Sequence, residues 1–231
     1  MTARQSLRAV VFDLDGTILD TESAIIATWR AMYIQCELPF PEEQFTAMVG
    51  TWTPEWDPYA PLLAGRRASA SARHRLRRRK ERMEAELVAR LGPRPGVADW
   101  MRWCDRTDVP VGCASNSPAS WVHAQLDRLG LARHFQCIVA REDVREVKPA
   151  PDLFLQAVAL LDVPAGAALA VEDSLPGVLS AQEAGLVCAL YPNSYTAGQA
   201  RREADVVVDP AGVGPDRAFA AGLAAVHARS S

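Results

Sequence analysis

Six short apolar runs recur along the chain: Ala9 to Phe12, Val109 to Ala114, Cys137 to Ala140, Ala168 to Val171, Val187 to Tyr191 and Val206 to Val208. Runs of this length without polar alternation fit strands buried on both faces. Segments with helical spacing lie between them, at Ala119 to Leu129, Asp152 to Leu161 and Pro176 to Ala184. Strands alternating with helices require a parallel sheet covered on both sides, so the expected fold is a doubly wound parallel sheet of the α/β class. Pro118, Pro151 and Pro176 stand close to the helix starts, where a missing N–H costs nothing. Gly130 and Gly185 fall where helices should stop.

The alternation breaks between about Asp20 and Gly96, where helical patterns appear without a convincing strand. The spacing predicts one helix from Glu22 towards Cys36, breaks at Pro39 and Pro41, an irregular stretch marked by Pro54, Pro58 and Pro61, and a long helix over Ser69 to Leu91. Leu76, Met83, Leu87 and Leu91 have helix-compatible spacing, and Gly92-Pro93 with Pro95-Gly96 supply a stop. The expected division is an α/β core of residues 1–19 and 93–231, with residues 20–92 as an inserted helical subdomain. A last Ala-rich helix is expected over Ala218 to Ala228.

Composition narrows the function classes. The 231 residues carry 25 Lys plus Arg against 28 Asp plus Glu, a formal charge of −3, and 49% are hydrophobic. Such a chain folds, and it lacks the global positive field that nonspecific nucleic-acid binding uses. Cys36, Cys104, Cys113, Cys137 and Cys188 are odd in number and form no CxxC pair, which speaks against a disulfide framework or a structural zinc and for a reducing, cytoplasmic compartment. No apolar run approaches the roughly 20 residues of a bilayer span, and Met1 to Arg8 has no signal-like apolar segment behind it, so no membrane association is expected. His74, His123, His134 and His227 have no metal or triad spacing, which leaves catalysis to carboxylates.

Four strand ends carry polar groups suited to that work. In Val10-Val11-Phe12-Asp13-Leu14-Asp15-Gly16-Thr17 an apolar strand runs into two carboxylates one residue apart. Alternate side chains of extended backbone share a face, so Asp13 and Asp15 point the same way at a carboxyl end, where open α/β sheets bind ligands. Two adjacent carboxylates repel unless a cation separates them or one keeps a proton. Gly16 permits a sharp turn, and the Thr17 hydroxyl can hold an anion. Ser115-Asn116, at the second strand end, offers donors beside a helix N-terminus, although Ser and Asn there are also ordinary caps. Lys148, one of only two lysines, is flanked by Val147 and Pro149 and can place a point charge on phosphate and carboxylate, or serve as a solvated loop lysine. Glu172-Asp173 ends the fourth strand, and hard oxygen ligands from two strand ends suit Mg²⁺.

In their order and spacing, Asp13 to Asp15, Ser115-Asn116, Lys148 and Glu172-Asp173 resemble the motifs of the haloacid dehalogenase-like (HAD) hydrolase superfamily, over nearly the whole chain. The chain is similar to the branch with a helical cap after the first motif, which contains phosphoglycolate phosphatase-like and β-phosphoglucomutase-like enzymes. The resemblance implies a Rossmann-like core and a small phosphorylated metabolite as substrate. It implies Asp13 as nucleophile forming an aspartyl-phosphate, and Asp15 as acid and then base. Thr17, Ser115, Asn116 and Lys148 would bind the substrate. Mg²⁺ would lie between Asp13, the Asp15 backbone carbonyl and Asp173, with Glu172 ligating or orienting it.

Asp15 separates phosphoryl transfer from the dehalogenase and phosphonatase members, which by the same resemblance lack a carboxylate there. The stretch Val49 to Trp56 contains no Arg, whereas mutase-like members carry one in the equivalent cap loop, so a phosphatase is expected and a phosphosugar mutase is the alternative. Trp52 and Trp56 are candidates for an apolar wall or for cap packing. Arg66, Arg67, Arg73, Arg75, Arg77, Arg78, Arg79, Lys80 and Arg82 place nine of the 25 basic residues within 17 positions, with only Glu81 against them. Substrate steering, a nucleic-acid or partner surface in a noncatalytic binding protein, and a solvated helix face are the readings, the last preferred.

Overall fold

The computed structural model describes residues 6–48, 56–64, 69–195 and 197–229. By internal contacts the chain divides into two compact units, Met1–Leu19 with Gly92–Ser231, and Asp20–Leu91.

The first unit is built on six strands: β1 (Ala9–Phe12), β2 (Val111–Ala114), β3 (Phe135–Val139), β4 (Ala168–Glu172), β5 (Val187–Leu190) and β6 (Val206–Val207). Each expected apolar run is a strand, with ends displaced by a few residues. They form one sheet in the order β3-β2-β1-β4-β5-β6, and every neighbouring pair is parallel. The chain therefore starts at the centre, winds outward to β3, returns past β1 and winds outward again. This topology opens a crevice at the carboxyl ends of β1 and β4, where the direction of winding reverses.

The helices, numbered along the chain, are α1 (Thr21–Gln35), α2 (Glu42–Met48), α3 (Ala60–Leu63) and α4 (Ala70–Val88) in the second unit. The first unit holds α5 (Val97–Thr107), α6 (Ala119–Arg128), α7 (Asp152–Leu160), α8 (Leu175–Glu183), α9 (Ala197–Glu203) and α10 (Pro215–Arg229). Strand β1 shows why two helix layers are required. Val10 and Phe12 pack with Trp100 and Met101 of α5, Val122 and Leu126 of α6 and Phe219 of α10. Ala9 and Val11 face the other way, onto Leu153 and Phe154 of α7 and Val178 and Ala181 of α8. Each fully buried Val, Leu or Phe contributes roughly 2 kcal/mol relative to exposure, so two apolar layers hold the polar strand ends in place.

Four helices go beyond the sequence patterns. Helix α5 carries Val97, Trp100, Met101 and Cys104 on its buried face, an amphipathic spacing masked by the Gly-Pro cluster before it. Helix α3 corrects the expectation of an irregular stretch: Pro61 lies in its first turn, where no intrahelical N–H is needed. Helices α2 and α9 are short, seven residues each, and their periodicity is correspondingly weak.

In the second unit α1 packs on α4, beside an aromatic cluster. Phe45 stacks on Phe40 with centroids 4.6 Å apart and meets Trp29, Tyr33 and Trp56 at 5.5, 5.9 and 5.0 Å. Half-buried Trp56 is thus part of the packing of this unit, whereas Trp52 lies outside the described residues. Several α4 cations have local partners: Arg73 pairs with Asp57 at 2.7 Å, Arg77 with Glu81 at 3.5 Å, Lys80 with Glu84, and Arg79 bonds Gln35. Arg66 and Arg67 lie outside the described residues. No helix among the described residues is long and apolar enough to cross a membrane.

Candidate active site

Register brings the site together. Phe12 pairs with Cys113 of β2 on one side and Val171 of β4 on the other, so Asp13, Ala114 and Glu172 follow at one level of the sheet. The Asp13 N–H donates to the Val171 carbonyl at 3.0 Å, which extends the ladder by one residue and fixes the carboxylate at the crevice. After Asp13 the chain turns back on itself: the Gly16 N–H donates to Leu19 O at 2.6 Å, and the N–H groups of Ile18 and Leu19 donate to Leu14 O. Gly16 has φ +91°, and a Cβ on it would lie 2.3 Å from Asp173 Oδ2. Both the turn and the approach of the β4 carboxylate demand glycine there.

Lys148 is the centre of the arrangement. Its Nζ donates to Asp13 Oδ1 at 2.5 Å, Glu172 Oε1 at 2.6 Å and Ala114 O at 2.7 Å, which accounts for the three protons of an ammonium. The side chain is almost wholly buried. Burial works against its charge, but Asp13 and Glu172 outweigh that cost and hold the ammonium above the usual lysine range. Burial raises the Asp13 carboxyl, Lys148 pulls it down, and Glu172 pushes it up further. The backbone of Lys148 is clasped in turn by Asn116: its N–H donates to Asn116 Oδ1 at 2.9 Å, and Asn116 Nδ2 donates to the Lys148 carbonyl at 3.4 Å.

The acidic residues at the end of β4 have separate attachments. Glu172 Oε2 accepts from the Asp173 N–H at 3.1 Å and from the N–H and hydroxyl of Ser174 at 3.3 and 3.1 Å, so this carboxylate is anchored at the start of α8 while its other oxygen holds Lys148. Gly177 makes this possible, because a Cβ there would lie 1.9 Å from Glu172 Cδ. Asp173 accepts from the Thr17 hydroxyl at 3.1 Å and from Asn193 Nδ2 at 2.9 Å. The Thr17 hydroxyl, expected on an anion, is therefore fully buried and directed to a carboxylate. Asp13, Glu172 and Asp173 each offer an oxygen within 4.8 Å of the others, a spacing compatible with one hard cation.

Asp15 stands apart from that cluster: Ser117 Oγ donates to its Oδ2 at 2.6 Å and Trp121 Nε1 to its Oδ1 at 3.1 Å. Ser115 is buried, and its Oγ accepts from the Ser117 N–H at 3.1 Å. Arg94 braces the loops: it donates to Gly16 O at 2.5 Å, Tyr191 O at 3.0 Å and Pro192 O at 2.8 Å, with its guanidinium 3.5 Å from the Tyr191 ring centre. Sequence reasoning did not single out Arg94, Ser117, Trp121, Gly177 or Asn193. Asn193 had a usable signal, a polar side chain just beyond the apolar β5, and Ser117 directly follows Ser115-Asn116. The roles of Trp121 and Gly177 are set by partners 106 positions away and across a helix start, and have no local signature.

A doubly wound, all-parallel sheet whose central strand ends gather carboxylates beside a buried lysine defines a class of α/β proteins with a Rossmann-like core and an acidic site at the reversal of winding. The chain belongs to the haloacid dehalogenase-like hydrolase family, whose profile matches residues 7–185. Fructose-1-phosphate phosphatase YqaB of Escherichia coli (strain K12) is 30% identical over 177 residues, 77% of this chain and 92% of that protein. Beta-phosphoglucomutase of Bacillus subtilis (strain 168) is 28% identical over 207 residues, covering 87% and 89%. The crystal structure of CbbY from Rhodobacter sphaeroides in complex with phosphate is similar with a TM-score of 0.69 and 27% identity, covering 92% of this chain and 99% of that one.

Proposed function

We propose that the protein is a Mg²⁺-dependent phosphatase that hydrolyses a small phosphomonoester. The observation that carries this reading is the set of Asp13, Glu172 and Asp173, two of which pair with Lys148. Asp13, Glu172 and Asp173, with Asp15 two residues along the chain from Asp13, outnumber the single ammonium, and a phosphate dianion would be repelled without a further cation. The donor set fits Mg²⁺, with Asp13 and Asp173 as side-chain ligands and the Asp15 carbonyl as the backbone ligand. Glu172, held by Lys148 and the α8 N-terminus, orients the lysine. The ion, when bound, neutralises charge between nucleophile and phosphate.

Asp13 attacks phosphorus, forming an aspartyl-phosphate as the bond to the leaving oxygen breaks. Asp15 supplies the proton to that oxygen and then takes one from the water that hydrolyses the intermediate. The Ser115 hydroxyl and the Asn116 N–H bind phosphoryl oxygens, and Lys148 aims Asp13 and opposes the upward push that burial gives its carboxyl, so that ionisation is completed by the bound cation. In this reading Thr17 acts through Asp173 rather than on substrate. Five free thiols fit a reducing cytoplasm.

The similarity to a beta-phosphoglucomutase supports a second reading, a phosphosugar mutase. One assay separates them: sugar phosphates and other phosphomonoesters are supplied with Mg²⁺ or with EDTA, and inorganic phosphate and isomers are quantified. Release of phosphate that EDTA abolishes is expected. An isomer formed faster than free phosphate would establish the mutase, and phosphate release unaffected by EDTA would overturn the metal assignment.

A further inference from the structure

Asp15 is held by two donors of different kinds. The Trp121 indole N–H is a donor only, so Oδ1 must be an acceptor whenever that bond is made. The Ser117 hydroxyl both donates and accepts, so its bond to Oδ2 persists with or without a proton on that oxygen. The indole is half-buried and packs against the apolar layer beneath α6, which fixes its direction. The Ser117 N–H is tied to Ser115 Oγ, so one chain of bonds runs from Trp121 through Asp15 and Ser117 to Ser115.

We infer that Trp121, with Ser117, positions Asp15 so that Oδ2 and not Oδ1 exchanges the proton with the leaving group. This rests on the reading of Asp15 as acid and base. As the bond between phosphorus and the leaving oxygen breaks, its electron pair stays on that oxygen and takes the proton from Asp15 Oδ2, while Asp13 forms the new bond to phosphorus. Asp15 is left as a carboxylate that accepts from both Trp121 and Ser117. In the second half-reaction water gives its proton to Oδ2, its oxygen bonds phosphorus, and Asp13 is released with inorganic phosphate. Trp121 and Ser117 touch neither phosphorus nor leaving group in this scheme and act through Asp15.

The test is a leaving-group series of 2,4-dinitrophenyl, p-nitrophenyl and phenyl phosphate, run on the wild type, Trp121→Phe, Ser117→Ala and Asp15→Asn, with Tm measured for each. A dinitrophenolate leaves without a proton, whereas phenolate needs one. Trp121→Phe is expected to keep kcat/KM on 2,4-dinitrophenyl phosphate within about twofold and to lose about tenfold on phenyl phosphate, the size of one hydrogen bond to a charged group. Ser117→Ala should steepen the series in the same sense. An equal loss across all three substrates, or no loss, in both variants overturns the inference. If Asp15→Asn steepens the series while both other variants leave it parallel to wild type, only the positioning role fails. If Asp15→Asn itself leaves the slope unchanged, the acid–base reading fails and this inference with it.

Discussion

The strand ends of the core and the helix α4 of the second unit are both dense in charge, and they handle it in opposite ways. At the strand ends Asp13, Lys148, Glu172 and Asp173 are buried, and their hydrogen bonds join residues distant in sequence. On α4 Arg73, Arg75, Arg77, Arg78, Arg79 and Arg82 are exposed, and apart from Arg73 with Asp57 the ion pairs of the helix join neighbours such as Arg77 and Glu81. Burial makes the first group costly to perturb, because removing one member leaves another charge without water or partner. Water already solvates the second group, and surface pairs of this kind contribute little. The chemistry therefore belongs where charge is expensive, and a high count of basic residues on a helix is weak evidence for a site.

The sharpest way to break this contrast is Lys148→Met. Two buried carboxylates would lose their shared cation, and we expect a loss of about 3 kcal/mol in stability by denaturant unfolding together with a fall of about a thousandfold in kcat. A variant that unfolds like wild type and turns over within tenfold of it would show that the buried cluster is not energetically distinct. Gly177→Ala tests the same cluster without touching a charge. The added Cβ displaces Glu172, so kcat should fall about tenfold, the equivalent of one charged hydrogen bond, with a lower Tm. An unchanged kcat would mean that the anchored position of Glu172 is immaterial. At the other end of the scale, Arg75→Gln combined with Arg82→Gln should leave kcat/KM on p-nitrophenyl phosphate within about twofold at low and physiological salt. A strongly salt-dependent loss there would turn the solvated face of α4 into a steering surface.

The sheet was legible because a strand buried on both faces must be a continuous apolar run, and six such runs alternating with helical segments leave few other topologies. The location of Asp13, Ser115 and Glu172-Asp173 followed from the same rule, since each stands at or directly after a carboxyl end, whereas Lys148 lies nine residues beyond β3 and reaches Asp13 from a loop. Helix α5 was obscured although its apolar spacing is good, because Pro95 and Gly96 directly precede it and read as loop. What lay beyond the sequence was the pairing. Thr17 could equally have faced an anion or a carboxylate, and only the approach of β4 to the turn at Gly16 settles that it meets Asp173. Asn116 was readable as a cap or an anion donor, whereas its side chain clasps the Lys148 backbone, an interaction with no signature in either segment alone.

The most direct test of the central assignment is Mg²⁺-dependent release of inorganic phosphate from p-nitrophenyl phosphate by Asp13→Asn, compared with wild type at equal folded concentration. Without the attacking carboxylate, turnover should fall by at least about a thousandfold at equal folded concentration. Hydrolysis by Asp13→Asn within tenfold of wild type would contradict the account.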